Sequence, residues 1–153
     1  MIRKARIADV IEIHKMLWHF AETGKLLARS LSELYTTVRD MVVFEDEYGC
    51  VAGCCTLHIV SEDLAEIRSL AVLESHQHRG IGRGLVEACM SEAKQLGIGR
   101  IFTLTDEVGF FERLGFQLVD KDVLPHKVWW DCSKCPKHPD YCDESALVLD
   151  LPG

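Results

Sequence analysis

Apolar residues near the start of the chain recur every three or four positions, which is the spacing of one face of a helix. The recurring residues are Val10, Ile13, Leu17 and Phe20. They predict a helix over residues 9–21. The pair Asp9 and Glu12 has the spacing of a capping box, in which side chains and backbone N–H groups bond reciprocally at a helix start.

The same capping pattern recurs at Ser30 and Glu33 and predicts a second helix. From residue 41 the pattern changes to short apolar runs between turn residues, which is typical of strands. The predicted strands are 2–6, 41–47, 51–60, 65–73, 100–105, 116–120 and 146–151. Two later helices are predicted, one of about 15 residues that ends before Gly97 and one over 107–114. This order predicts an α/β fold whose sheet is antiparallel at first and has a parallel crossover in the middle.

The stretch SHQHRGIGRGL, residues 75–85, combines three glycines with four side chains that can carry positive charge. It connects a predicted strand to a helix, where backbone N–H groups and the helix dipole favour an anion. The residues alone leave two alternatives, a phosphate site and a flexible glycine turn with solvated arginines. The stretch lacks the G-K-[ST] of a P-loop, and its glycine spacing differs from that of a Rossmann fingerprint.

Composition limits the function further. The net charge of −7 argues against a general nucleic-acid binder, because neutralising phosphates requires a broad basic face. The 153 residues fit one domain, 1–153. No apolar run approaches the roughly 20 residues of a membrane helix, and no apolar signal core precedes the first charges. We therefore expect a cytoplasmic protein that binds neither nucleic acid nor membranes.

The segment Gln77–Gly82 matches Q-x-x-G-x-G, and on this motif and FFERLGF (110–116) the chain resembles the GCN5-related N-acetyltransferases (GNAT). The resemblance implies a mixed, mostly antiparallel central sheet with a parallel βαβ crossover, splayed central strands and helices on both faces. It also implies acetyl-CoA as co-substrate, with the amide near Leu70 facing the thioester oxygen. The implied acetyl-CoA-binding residues are Leu70, Ala71, Val72, Gln77, His78, Arg79, Gly80, Ile81, Gly82, Arg83, Gly84 and Phe111.

Four stretches, 24–34, 66–72, 101–105 and 110–125, resemble the acetyltransferase domain of the amino-acid N-acetyltransferases, the N-acetylglutamate synthases. This resemblance implies acetylation of the α-amine of a small amino acid, most readily L-glutamate, in arginine biosynthesis. The alternatives are a GNAT enzyme for another amine, such as glutamine, a polyamine, a drug or a protein N-terminus, and a non-catalytic acyl-CoA or metal sensor. A homodimer is an expectation by family analogy only.

Glu66 is the candidate general base, because the attacking amine must lose its proton to a carboxylate or histidine. The alternative is an edge-strand carboxylate that pairs with Arg68. His58 and Asp106 are weaker candidates. Phe111 occupies the position where many family members have a tyrosine acid, and a thiolate can leave without that help.

The resemblance also implies substrate-binding residues. Arg29, in LLARS, matches an arginine that contacts the substrate carboxylate, and this role is favoured over the alternative of a solvated residue before a helix. Ser145 matches a serine in the last strand of the synthases. Lys127 could replace the basic neighbours that are missing there, since Asp143 and Glu144 occupy those positions.

The seven cysteines fall into two groups, and a cytoplasmic chain should keep them mostly reduced. Four lie among apolar residues and are predicted to fill the core, namely Cys50, Cys54, Cys55 and Cys89. An irregular, Cys-rich excursion over about 121–144 holds four potential ligands of a structural zinc ion, Cys132, Cys135, His138 and Cys142. The alternatives are a loop with reduced cysteines and one redox-labile disulfide.

Overall fold

The structure is a computed structural model that describes residues 1–24, 26, 28–125 and 144–152. Seven strands form one sheet in the order β1-β2-β3-β4-β5-β7-β6. The strands are β1 Ile2–Lys4, β2 Met41–Glu45, β3 Val51–Ser61, β4 Leu64–Val72, β5 Arg100–Thr105, β6 Gln117–Val119 and β7 Ser145–Asp150. The helices are α1 Val10–Glu22, α2 Leu31–Thr37, α3 Ile81–Gln95 and α4 Val108–Arg113.

All neighbouring strands are antiparallel except β4 and β5, which α3 connects in parallel. Alternate residues of each strand point to opposite faces of the sheet. Val42 therefore packs with α3 and α4, whereas Met41 and Val43 pack with α1 and α2. The mostly antiparallel α/β sheet with helices on both faces confirms the fold class that the sequence predicted.

The two central strands separate along their length. β4 pairs with β5 only over 64–66 and 100–102, although both strands continue. On its other side, β4 pairs with β3 through a bulge, because Thr56 lies opposite Arg68 while Cys54 lies opposite Ala71. The bulge contains Ser69, whose φ of 54° is unusual for a residue other than glycine. The expected splay of the central strands is thus present.

The N-cap predicted at Ser30 is confirmed, whereas the capping box predicted at Asp9 is wrong. The Ser30 hydroxyl accepts a hydrogen bond from the Glu33 N–H at 3.1 Å. The Asp9 carboxylate does not cap α1. It instead accepts from the Arg6 N–H at 2.7 Å and from the Arg3 guanidinium at 2.8 Å. A charged donor on β1 binds a carboxylate more strongly than a helix N–H does.

Cys50 is exposed, not part of the core, because it ends the turn after β2, whereas Cys54, Cys55 and Cys89 are buried as predicted. Glu66 lies on a central strand, not on an edge strand. In the described part of the excursion a short 3₁₀ turn covers Lys121–Val123. No helix within the described part of the chain is long and apolar enough to cross a membrane.

Candidate functional site

A cleft of about 460 Å³ opens where β4 and β5 separate. One wall is formed by β4 residues 67–72, and the other by residues 103–107 of β5 and the turn after it. The glycine-rich stretch and the first turn of α3 form one end. The acetyl-CoA residues implied by the sequence that line this cleft are Leu70, Ala71, Val72, Gln77, His78, Gly80, Ile81, Gly82, Arg83 and Phe111.

The glycine-rich stretch forms a tight turn that is tied to the end of β4. The Gln77 side chain donates to the Val72 carbonyl at 2.9 Å. His78 and Gly80 both have positive φ, 64° and 80°, and α3 begins directly after them at Ile81. This turn places the N-terminus of a 15-residue helix at the end of the cleft. Its N–H groups and dipole suit a negatively charged ligand.

The glycines of α3 have different roles. A Cβ on Gly82 would approach nothing closer than the Phe110 ring at 3.5 Å, and this residue lines the cleft. A Cβ on Gly84 would lie 2.6 Å from the Ile2 Cδ1 atom. Gly84 lies outside the cleft lining that the described residues form, so its small size serves the packing of α3 on β1.

The two arginines of the loop also differ. Arg83 lines the cleft, with a side chain that is 59 % exposed and lies 3.5 Å from Glu87. Arg79 donates to the Ser75 carbonyl at 3.2 Å and, among the residues described, is not part of the cleft wall. Arg83 is therefore the better placed of the two to reach a bound phosphate.

A second contact holds the loop from the β2–β3 turn. The His76 Nε2 atom lies 3.2 Å from the Asp46 carboxylate, which also accepts from the N–H groups of Cys50 and Tyr48. These contacts hold the pKa of Asp46 below its usual range. The backbone N–H of Cys50 contributes most, followed by that of Tyr48 and by His76. His76 itself lines the cleft. The contact between His76 and Asp46 therefore connects the β2–β3 turn to the loop that forms one end of the cleft.

Glu66, the candidate base, is almost completely buried. Arg68 donates to one of its carboxylate oxygens from Nη2 at 2.8 Å and from Nε at 3.1 Å. Arg68 lines the cleft, whereas Glu66 lies behind it as the described residues delimit it. The pairing with Arg68 that the sequence offered as an alternative is present.

The β5 side of the cleft contains residues that the sequence analysis did not select. They are Thr103, Thr105, Glu107 and Arg113. Asp106, which the sequence analysis named as a weaker candidate base, lies on the same wall. The Thr103 hydroxyl donates to the Ile67 carbonyl at 3.0 Å. The two threonines among the apolar residues of the strand RIFTLT are the one sequence signal that could have pointed to this wall.

Phe111 is buried beside the cleft. Its ring contacts Phe110 and Phe116 edge-on at centroid distances of 5.0 and 5.2 Å. This aromatic cluster closes the α4 side of the cleft with side chains that have no ionisable group. The tyrosine common in the family is absent from this position, and the ring there serves packing.

Two of the three predicted substrate-binding residues, Arg29 and Ser145, are described, and neither is part of the cleft lining. Arg29 is 3.5 Å from the Glu33 carboxylate and is only 13 % exposed. Ser145 pairs with Thr105 at the end of β5, next to the cleft. Lys127 falls outside the described residues. So does the predicted metal cluster, Cys132, Cys135, His138 and Cys142. Among the described residues, no three His, Cys, Asp or Glu side chains are grouped so that they could hold a metal ion.

Comparisons with known proteins agree with this geometry. The chain matches the Acetyltransferase (GNAT) family over residues 8–116. It is 41 % identical to an uncharacterized N-acetyltransferase of Chlorobaculum tepidum over 98 % of this chain and 96 % of that protein. It is 39 % identical to an amino-acid acetyltransferase of Mycobacterium tuberculosis over 84 % of this chain and 75 % of that one.

Two solved structures share the fold closely. The M. tuberculosis protein Rv2747, in complex with CoA, has a TM-score of 0.86 and 31 % identity, with 99 % of each chain covered. N-acetylglutamate synthase from Neisseria gonorrhoeae, complexed with CoA and N-acetyl-glutamate, has a TM-score of 0.89 and 29 % identity. All of this chain covers 35 % of that synthase. The chain therefore belongs to the acetyltransferase (GNAT) family and is an acetyl-CoA-dependent N-acetyltransferase.

Proposed function

We propose that this enzyme transfers the acetyl group of acetyl-CoA to the α-amine of a small amino acid, and that L-glutamate is its acceptor. The observation that carries the proposal is the cleft between β4 and β5, which has a glycine turn at one end and Arg68 and Arg113 in its walls. An anionic co-substrate and an acceptor with carboxylates both need such cations. The relatives named amino-acid acetyltransferase and N-acetylglutamate synthase support the choice of acceptor.

The chain's residues fit acetyl-CoA in two places. The pyrophosphate would lie on the N–H groups of residues 77–82 at the start of α3, with Arg83 alongside. The pantetheine arm would pair with the main chain of Leu70 and Val72, where β4 has lost β5 as its partner. The N–H of Leu70 would then face the thioester carbonyl oxygen and stabilise the negative charge that develops on it.

The reaction is a direct transfer. Acetyl-CoA supplies the activated acyl group. The neutral amine attacks the carbonyl carbon, a C–N bond forms, the C–S bond breaks, and CoA departs as its thiolate. Glu66 takes the proton that the amine loses. Because Glu66 lies behind Arg68, it would act through an intervening water, and the two bonds from Arg68 fix the position of its carboxylate.

The leaving thiolate needs little assistance. A thiol with a pKa of about 8.5 is a good leaving group near neutral pH. Phe111 therefore does not prevent the reaction, although it contributes no proton. This predicts a rate that does not depend on an acid supplied from α4.

Acceptor recognition would rely on cations near the cleft. Arg68 lines the wall directly, and Arg29 and Ser145 would extend the site at its periphery, with Lys127 as a further candidate. Glutamate would place its carboxylates against these groups. The reaction would then be the first step of arginine biosynthesis, and it would take place in the cytoplasm.

An amino-acid panel with acetyl-CoA tests the proposal. Release of the CoA thiol is followed with glutamate, glutamine, other amino acids, a polyamine and a peptide N-terminus. We expect the highest kcat/KM with glutamate. A preference for the polyamine would overturn the choice of acceptor but keep the enzyme class. Binding of acetyl-CoA without turnover on any amine would leave a non-catalytic acyl-CoA module.

One observation favours a cationic acceptor as the second candidate. Asp106 and Glu107 line the cleft beside β5. Two carboxylates at a cleft wall attract an ammonium group. A polyamine would satisfy both, whereas glutamate would have to place its α-ammonium there and its carboxylates at the arginines.

A further inference from the structure

The bulge in β4 interrupts the regular pairing of this strand with β3. Ser69 has a positive φ of 54°. Between the pairs Cys54–Ala71 and Thr56–Arg68, one residue of β3 lies across from two residues of β4. A bulge disrupts the ladder locally and turns a peptide unit out of its usual direction. A partly buried carbonyl in such a place is stabilised by a donor from outside the ladder.

Cys54 supplies that donor. Its thiol lies 3.3 Å from the Ser69 carbonyl oxygen and donates to it. The side chain is fully buried on the α1 face of the sheet. Burial raises the pKa of this thiol to about 12, so the group keeps its proton at any physiological pH. The acetyl-transfer scheme above makes no use of Cys54.

The Ser69 carbonyl and the Leu70 N–H belong to one peptide unit. A trans peptide is planar, and its C=O and N–H point in opposite directions. A bond that holds the carbonyl towards Cys54 on β3 therefore turns the Leu70 N–H away from β3. That direction is the side on which β5 has separated, and Leu70 lines the cleft there.

We propose that Cys54 is a positioning residue for acyl transfer, whose thiol fixes the Ser69–Leu70 peptide so that the Leu70 N–H points at the thioester carbonyl oxygen. The inference rests on the proposed role of Leu70. Cys54 does not touch the acyl group. It acts through one peptide plane and strengthens an interaction that matters most when charge develops on the oxygen.

Three variants test the proposal. Cys54→Ala removes the donor, Cys54→Ser restores one, and Cys55→Ala is the matched control. Cys55 is the next residue on β3, is equally buried and packs on the opposite face of the sheet. We expect Cys54→Ala to lower kcat about tenfold, with the KM values for acetyl-CoA and amine within about twofold. Cys54→Ser should recover most of kcat, and Cys55→Ala should lower thermal stability without lowering kcat.

A second measurement separates this inference from the proposed function. In ¹⁵N-labelled protein, the Leu70 amide should shift more with acetyl-CoA than with CoA, and Cys54→Ala should lose that difference while Cys54→Ser keeps it. This holds whichever amine is the acceptor. Equal kcat losses in Cys54→Ala and Cys55→Ala, no recovery in Cys54→Ser, or no acetyl-dependent shift in the wild type would each overturn the positioning role.

Discussion

Two arginine–carboxylate pairs with nearly the same hydrogen-bond distances lie in different parts of the molecule. At the edge of the sheet, Arg3 binds Asp9 at 2.8 and 3.0 Å, with side chains 12 % and 9 % exposed. In the central strand, Arg68 binds Glu66 at 2.8 and 3.1 Å, with side chains 17 % and 11 % exposed. Distance and burial alone would give the two pairs the same role.

Their surroundings separate them. Arg3 also bonds Glu45 and the Lys4 carbonyl. The Arg3 hydrogen bonds, with the backbone N–H of Arg6 as a smaller contribution, hold the pKa of Asp9 below its usual range. This network fastens β1 and β2 to the turn before α1. Arg68 instead faces the cleft. The Arg68 pair is a candidate for catalysis because it borders a cavity, whereas the Arg3 pair does not border this cleft in the described part of the chain.

Glu66→Gln should have the largest effect of these variants, and the quantity it changes is kcat. Loss of the base should lower kcat about 100-fold near pH 6. The defect should shrink as the pH rises, because more of the amine is then neutral without the enzyme's help. A pH–rate profile of kcat for both proteins measures this.

The control is Asp9→Asn, which alters the other pair and should leave the pH–rate profile unchanged. A Glu66→Gln profile that runs parallel to the wild-type profile would remove Glu66 as the base. The pair with Arg68 would then be structural, as the one with Arg3 is.

Asp9→Asn should have the next largest effect, on stability. We expect the free energy of unfolding to fall by about 2 kcal/mol at pH 7, since a partly buried, charge-assisted pair is lost. The folded-state pKa of Asp9 is lowered, so the stabilisation is complete above the unfolded value near 3.8. It disappears as the pH falls through the folded value.

Urea unfolding at pH 7 and at pH 3 measures this difference. The gap between wild type and Asp9→Asn should narrow at the lower pH. A gap that widens there, or a kcat loss per folded molecule, would contradict the purely structural role of this pair.

Arg83→Ala should raise the KM for acetyl-CoA about tenfold with little change in kcat, because a cation at the phosphates is lost. Arg79→Ala is its matched control, since Arg79 bonds the Ser75 carbonyl and borders no described part of the cleft. Initial rates at varied acetyl-CoA measure both variants. Equal effects would mean that the phosphates lie elsewhere on the loop.

Thr103→Val should have the smallest effect. It removes the hydroxyl that bonds the Ile67 carbonyl where β4 and β5 begin to separate. We expect a loss of about 1 kcal/mol in unfolding free energy, and Thr103→Ser should restore it. If Thr103→Val and Thr103→Ser are equally stable, this bond does not hold the separating strands.

Local signals predicted the elements well. The strand over 100–105 has the predicted bounds, and Ser30 caps α2 as its spacing indicated, because periodicity and capping act within a few residues. The glycine turn between β4 and α3 was also predicted from the sequence, through a motif whose residues are close together in the chain.

The remaining features depend on tertiary structure. The sequence around Ser69 does not indicate a bulge, since serine has no preference for positive φ. The hydrogen bonds of Cys54 and Thr103 to β4 depend on where the neighbouring strands lie. The Asp9 box failed for the same reason, because its stronger partner, Arg3, comes from β1.

The account depends on the binding of acetyl-CoA in the cleft between β4 and β5. Isothermal titration calorimetry of the folded protein with acetyl-CoA tests this most directly. We predict binding of one molecule per chain with a dissociation constant between about 1 µM and 1 mM, weakened by Arg83→Ala and unchanged by Arg79→Ala. If millimolar acetyl-CoA gave no heat of binding, the proposal that acetyl-CoA binds in this cleft would be contradicted.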